Sequence, residues 1–86
     1  MNEARETDLK RLRMRSWRRG MKEMDLILGP FADGALARLG EDELALFEEL
    51  LSENDQDLYA WIAGAGSAPA RFEGLIGRVR AFHGLA

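Results

Sequence analysis

Eighty-six residues with no cysteine and a net charge of -3 describe one small domain with a single core, without disulfides or thiolate zinc to staple it. The sum hides an asymmetry: residues 1–23 hold eight Lys/Arg against four acids, and residues 24–86 hold four against eleven. A basic end on an acidic body can steer a charged partner, and by itself does not say which one. Aliphatic runs such as Leu26-Ile27-Leu28 fall far short of the roughly 20 residues that cross a bilayer. Glu3, Glu6 and Asp8 interrupt a start that has no apolar export segment. The expectation is a soluble, cytoplasmic protein that engages no membrane.

Along the chain, Thr7 ahead of Asp8-Leu9-Lys10-Arg11-Leu12 predicts a helix start, with residues 1–6 a flexible lead. Leu9, Leu12 and Ser16 share one side of this helix, which should end near Gly20. Its apolar stripe is thin, so Trp17 and the aliphatic stems of the arginines are needed for packing. Met21, Met24, Ile27, Leu28 and Phe31 then recur at helical spacing and mark a second helix. Pro30 lies inside that pattern. It lacks an amide donor and crowds the carbonyl four residues back, which predicts a kink near Gly29 or a stop there.

Gly40 punctuates the chain, and Glu41-Asp42-Glu43 opens a third helix with acids at the positive end of its dipole. Leu44, Phe47, Leu50 and Leu51 form its inner stripe. Residues 41–57 hold eight acids and no Lys or Arg, which reads as a solvated face and turn. Asn54-Asp55-Gln56-Asp57 is a turn and cap cluster, after which Leu58, Trp61 and Ile62 line a fourth helix that Gly64-Ala65-Gly66-Ser67 ends. Pro69 suits the first turn of a fifth helix carrying Phe72, Leu75, Ile76, Val79 and Phe82. Gly74 and Gly77 weaken that pattern and would allow close helix contact. Without strand alternation or repeats, the fold class is all-α, a compact bundle of about five short helices in one domain.

Chemistry has few candidates. His83 is the single histidine and reads as a surface residue. Ser16 and Ser67 have no nearby histidine in sequence, and Asp55 and Asp57 lack the glycine and glutamate of a calcium loop. No phosphate-cradling GxxxxGK[ST] or GxGxxG occurs. No catalytic, cofactor-binding or metal-ligating residue is therefore assigned, and the chain is not expected to be an enzyme. Lys10 to Arg19, with Trp17 among its arginines, could follow phosphates and stack on a base. A nucleic-acid-binding module is the alternative function, opposed by the acidic pI and the lack of a nucleic-acid motif.

The densest stretch is Trp17-Arg18-Arg19-Gly20-Met21-Lys22-Glu23-Met24-Asp25. Gly20 can bend the backbone or take positive φ where a second helix must begin at once. Glu23 falls in the first turn of that helix, and Arg19 and Glu23 can pair if the helix runs on through the glycine. A corner held by capping and an ion pair would account for the spacing. It would not account for Arg18, Arg19 and Lys22 crowding one place, a surplus of cation that suits a partner.

Arg19-Gly20-x-x-Glu23-x-Asp25 resembles the RGxxE motif of the succinate dehydrogenase assembly factor 2 family, the flavinylation factors called SdhE in bacteria. The Pro30-Phe31 pair belongs to the same block. A second block, Phe47-x-x-Leu50-Leu51 leading into Asp55-x-Asp57-Leu58-x-x-Trp61, resembles that family's acidic turn and aromatic helix, and the likeness runs from about Arg15 to Phe82. It implies a five-helix, non-enzymatic factor that binds the flavoprotein subunit of succinate dehydrogenase, and in some bacteria fumarate reductase, and promotes covalent attachment of FAD. FAD is then the client's cofactor, not one this chain binds stably. The family's required residues carry over to Arg19, Gly20 and Glu23. Arg18, Met21 and Asp25 match the extended motif, which makes these six the expected partner-binding residues of a bacterial, cytoplasmic protein that is monomeric when free.

Overall fold

Leucines and phenylalanines set three and four apart give each segment one apolar stripe, and the stripes converge on a single core. In a computed structural model, residues 3–85 are described. Among them the chain forms α1 (Glu3–Trp17), α2 (Lys22–Ala35), α3 (Glu41–Leu51), α4 (Asp55–Ala63) and α5 (Ala70–Phe82), with one 3-10 turn at Leu36–Arg38 and no strand. The all-α bundle of five helices expected from the sequence is the one observed. Phe31, Phe47 and Phe72 are fully buried with Leu12, Met24 and Leu58. Phe31 sits between two other rings, tilted against Phe47 at 5.8 Å and edge-on to Phe82 at 5.7 Å.

α1 starts at Glu3, ahead of Thr7, so the segment expected to be a flexible lead is helical from residue 3 on. Met1 and Asn2 lie outside the described residues. Two features explain the longer helix. Glu3 and Glu6 occupy the first turn, at the positive end of the dipole. Arg5 reaches across to the 3-10 turn and donates to the Leu39 carbonyl at 2.7 Å and the Ala37 carbonyl at 3.3 Å. Further along, Leu9, Leu12 and Ser16 face inward as the spacing required, and the buried Ser16 hydroxyl donates to the Leu12 carbonyl at 2.8 Å.

α2 runs through Pro30 without stopping. The carbonyl that loses its donor is that of Leu26, a residue 55% exposed, so water can replace the missing bond. Gly29 has a different duty. A Cβ built there would lie 2.3 Å from Cδ2 of Trp17, because the indole rests directly on the α2 backbone. Gly34 similarly receives Phe82, whose Cε1 would be 2.9 Å from an added Cβ. Gly74 and Gly77, read as close-contact glycines, have nothing within 4 Å of an added Cβ. They lie on the outer side of α5, where the small residue serves no packing in this chain.

Asn54 caps α4 by accepting from the amides of Gln56 at 2.8 Å and Asp57 at 3.3 Å. Gly64, at φ 81°, closes that helix in the left-handed conformation. Pro69 precedes the first turn of α5 rather than lying in it. The acidic run is more than a solvated face: Glu43, Glu48 and Glu49 pair with Arg78, Arg11 and Arg71 from other helices. The Arg78 hydrogen bond holds the Glu43 carboxyl below its ordinary range, with the Gly40 amide adding to the effect. Arg11 does the same for Glu48, whose hydrogen bond in turn raises the Arg11 guanidinium.

Candidate functional site: an exposed helix corner

α1 ends at Trp17 and α2 begins at Lys22, so residues 18–21 form a turn outside any helix. This break sets the chemistry of the corner. Arg19 and Glu23 do not share a helix, and the ion pair expected between them is replaced by another. Arg19 turns toward the junction of α3 and α4, where its Nε donates to Asp55 Oδ1 at 2.8 Å. Its Nη1 donates to the Leu51 carbonyl at 2.6 Å and its Nη2 to the Glu53 carbonyl at 3.2 Å. These carbonyls close the C-terminal end of α3, where helical acceptors lack intrahelical donors and a cation is favoured. The side chain is 9% exposed, nearly enclosed by the fold.

The backbone is held in the same way. The Arg19 amide donates to Asp25 Oδ1 at 2.6 Å, and the Gly20 amide donates to Asp55 Oδ2 at 2.9 Å. One carboxylate thus takes a side-chain donor from Arg19 and a main-chain donor from Gly20. Gly20 is exposed and does not adopt positive φ, contrary to the possibility raised by its position. A Cβ there would meet Asp55 Oδ2 at 3.5 Å, an ordinary contact. Nothing in the isolated chain requires a glycine at this place.

Around this anchored turn the remaining motif residues divide. Arg18, Lys22 and Glu23 are exposed, and among the described residues their side chains have no hydrogen bond or ion pair. Met21 is half-buried against the core and is the cap residue of α2. Met24 is buried outright. The corner therefore presents two cations, an exposed glycine and an anion outward, and two methionines, an arginine and Asp25 inward.

A shallow depression of about 470 Å³ follows the outer side of α1 toward the corner, lined by Thr7, Lys10, Arg11, Met14, Arg15, Arg18 and Arg19. Met14, which the sequence reading passed over, is 45% exposed within it. Its position four residues from both Lys10 and Arg18 was the available signal. Arg11 and Arg15 turn away from a phosphate-binding posture, toward Glu48 at 3.0 and 4.0 Å. Trp17 is not a free stacking platform either: its ring covers Gly29 and its Nε1 donates to Asp33 Oδ2 at 3.1 Å. His83 lies with Nε2 2.7 Å from the Ile27 carbonyl, edge-on to Phe82. Among the described residues no cluster of three His, Cys, Asp or Glu side chains could hold a metal, and no helix is long and apolar enough to cross a membrane.

The family model described as flavinator of succinate dehydrogenase matches residues 10–83. The chain is similar to the FAD assembly factor SdhE of Legionella pneumophila (strain Lens), 49% identical over 47 residues, which cover 55% of this chain and 60% of that one. It is similar to the SdhE of Pseudomonas aeruginosa, 43% identical over 63 residues covering 73% of this chain and 74% of the other. The mitochondrial succinate dehydrogenase assembly factor 2 of Drosophila grimshawi is 42% identical over 65 residues, 73% of this chain and 44% of the fly protein. The match thus spans less than two thirds of the Legionella and Drosophila relatives. None of these likenesses points to nucleic acid. With residues 10–83 matched by the family model, the five-helix chain belongs to the family of flavinators of succinate dehydrogenase.

Proposed function

We propose that this chain binds the flavoprotein subunit of succinate dehydrogenase and promotes its covalent attachment to FAD, docking through the α1–α2 corner. The observation that carries the reading is the division within the motif. The Arg18 and Glu23 side chains are exposed and unused by the fold, and Gly20 between them needs no missing Cβ for packing, at a corner whose turn the rest of the chain holds fixed. Unspent charges on a fixed scaffold suit recognition, because little ordering cost is left for the moment of binding. Arg18 and Glu23 supply charged hydrogen bonds to the client, and Gly20 lets the client's backbone come close.

The chain supplies no catalytic group and holds no flavin of its own. The flavoprotein forms its own histidyl-flavin bond, and the bound factor keeps the subunit in the conformation that aligns the two. Alignment alone can lower such a barrier by roughly several kcal/mol. The factor acts in the cytoplasm as a monomer when free. The supporting test is flavin fluorescence of the denatured succinate dehydrogenase flavoprotein from cells with and without this chain. Loss of covalent flavin in its absence is expected, and an unchanged signal would overturn the proposal. Glu23→Gln set beside Glu23→Ala separates docking from proton transfer: normal affinity with abolished flavinylation would argue against pure docking.

A further inference from the structure

The residues 18–21 have little backbone structure of their own. Apart from an Arg18 amide that reaches the Arg15 carbonyl at 3.4 Å, the amides of Arg19 and Gly20 are met by side chains from outside the turn. Asp25 takes the Arg19 amide, and Asp55 takes the Gly20 amide. Asp55 belongs to the first turn of α4, some 35 positions along the chain from Gly20. It is also the only carboxylate on the Arg19 guanidinium among the described residues.

We propose that Asp55 is a positioning residue of the docking corner: from a separate helix, it fixes Arg19 and Gly20 so that Arg18 and Glu23 stand in the geometry the client accepts. This rests on the docking reading above and deepens it. A glycine turn released from its acceptors samples more backbone conformations than any other residue type would, and each of them must be given up on binding. Asp55 removes that freedom beforehand. Arg19 accordingly acts on the client through the shape of the corner, because Nε, Nη1 and Nη2 each donate inside the chain. Asp55 sits in a turn whose bland reading is helix capping, yet the cap of α4 is Asn54. The Asp55 carboxylate is left free to serve the corner.

The test compares Asp55→Ala, Asp55→Asn, Glu23→Ala and a core control, Val79→Ala, in the full chain. The thermal midpoint of each variant is determined first, and amide exchange at Gly20 and Kd for the purified succinate dehydrogenase flavoprotein subunit are then measured well below every midpoint. Asp55→Ala is expected to expose the Gly20 amide to faster exchange. If the corner then spends about a tenth of its time in the accepted shape, Kd rises about tenfold. Val79→Ala loosens the core but leaves the corner alone, so it binds like the unmodified chain once folded. Adding Glu23→Ala to Asp55→Ala costs less than the two separate losses combined, because both act on one interaction. Should Asp55→Ala fail to fold, Asp55→Asn keeps the size and one acceptor, and an intermediate Kd is expected.

Unchanged Kd in both Asp55 variants, or a loss no larger than that of an equally destabilised Val79→Ala, would overturn the positioning role. If Glu23→Ala weakens binding while Asp55 variants do not, that role alone fails. If Glu23→Ala also binds normally, the docking reading fails and takes this inference with it.

Discussion

Gly20 and Gly29 sit nine positions apart on either side of one helix start, and the fold uses them in opposite ways. At Gly29 the missing Cβ is occupied by the Trp17 indole, so α1 and α2 can cross only because no side chain intervenes. At Gly20 the missing Cβ leaves ordinary space facing solvent. One glycine is demanded by the inside of the molecule and the other by nothing inside it. Where a fold has no use for a small residue, the residue is available for an approaching partner. The arginines beside it repeat the contrast, since Arg19 is enclosed and Arg18 is not.

Breaking the inner half of the comparison should have the largest effect on stability. Gly29→Ala forces the indole off the α2 backbone, and overpacking of this kind costs about 1–3 kcal/mol. In a domain of this size, the thermal midpoint should drop by about 4–8 °C for each kcal/mol. Arg19→Ala comes next, because it strips a partly buried carboxylate and two carbonyls at the end of α3 of their donor. A loss of about 1–2 kcal/mol is expected in a denaturant titration. Acid titration sharpens the contrast between the core and the exposed ion pairs. Glu43 and Glu48 are held below their ordinary carboxyl range, by Arg78 and by Arg11 respectively. Their contribution is present above the unfolded value of about 4.3 and is lost as pH falls through the lower folded values. The thermal midpoint should therefore decline modestly below about pH 4, and added salt should shrink the decline because both pairs are exposed.

Much of this molecule could be read from the order of its residues, for reasons visible at particular places. Met24, Leu28 and Phe31, or Leu44, Phe47 and Leu51, declare their helices because burial at a fixed angular repeat is a local property. The early start of α1 was hidden because part of its support, the Arg5 bond to the Leu39 carbonyl, joins distant segments. The choice among glycines was hidden in the same way: Gly74 and Gly77 looked like contact residues, whereas Trp17 and Phe82 had already selected Gly29 and Gly34. At the corner the motif was legible, but its internal wiring was not. Helical spacing offered Glu23 to Arg19, and the break after Trp17 delivered Asp55 instead. A local rule could not anticipate that exchange, because the acceptor lies on another helix.

The most direct measurement pairs stability with function in one variant, Gly20→Ala. Its thermal midpoint should stay within about 1 kcal/mol of the unmodified chain in free-energy terms, since the backbone there is unstrained and the added methyl group meets no close neighbour. Its ability to promote covalent flavin attachment to the purified succinate dehydrogenase flavoprotein should fall at least tenfold. A variant that folds as well and flavinylates as well would contradict the claim that this corner is the surface the client meets.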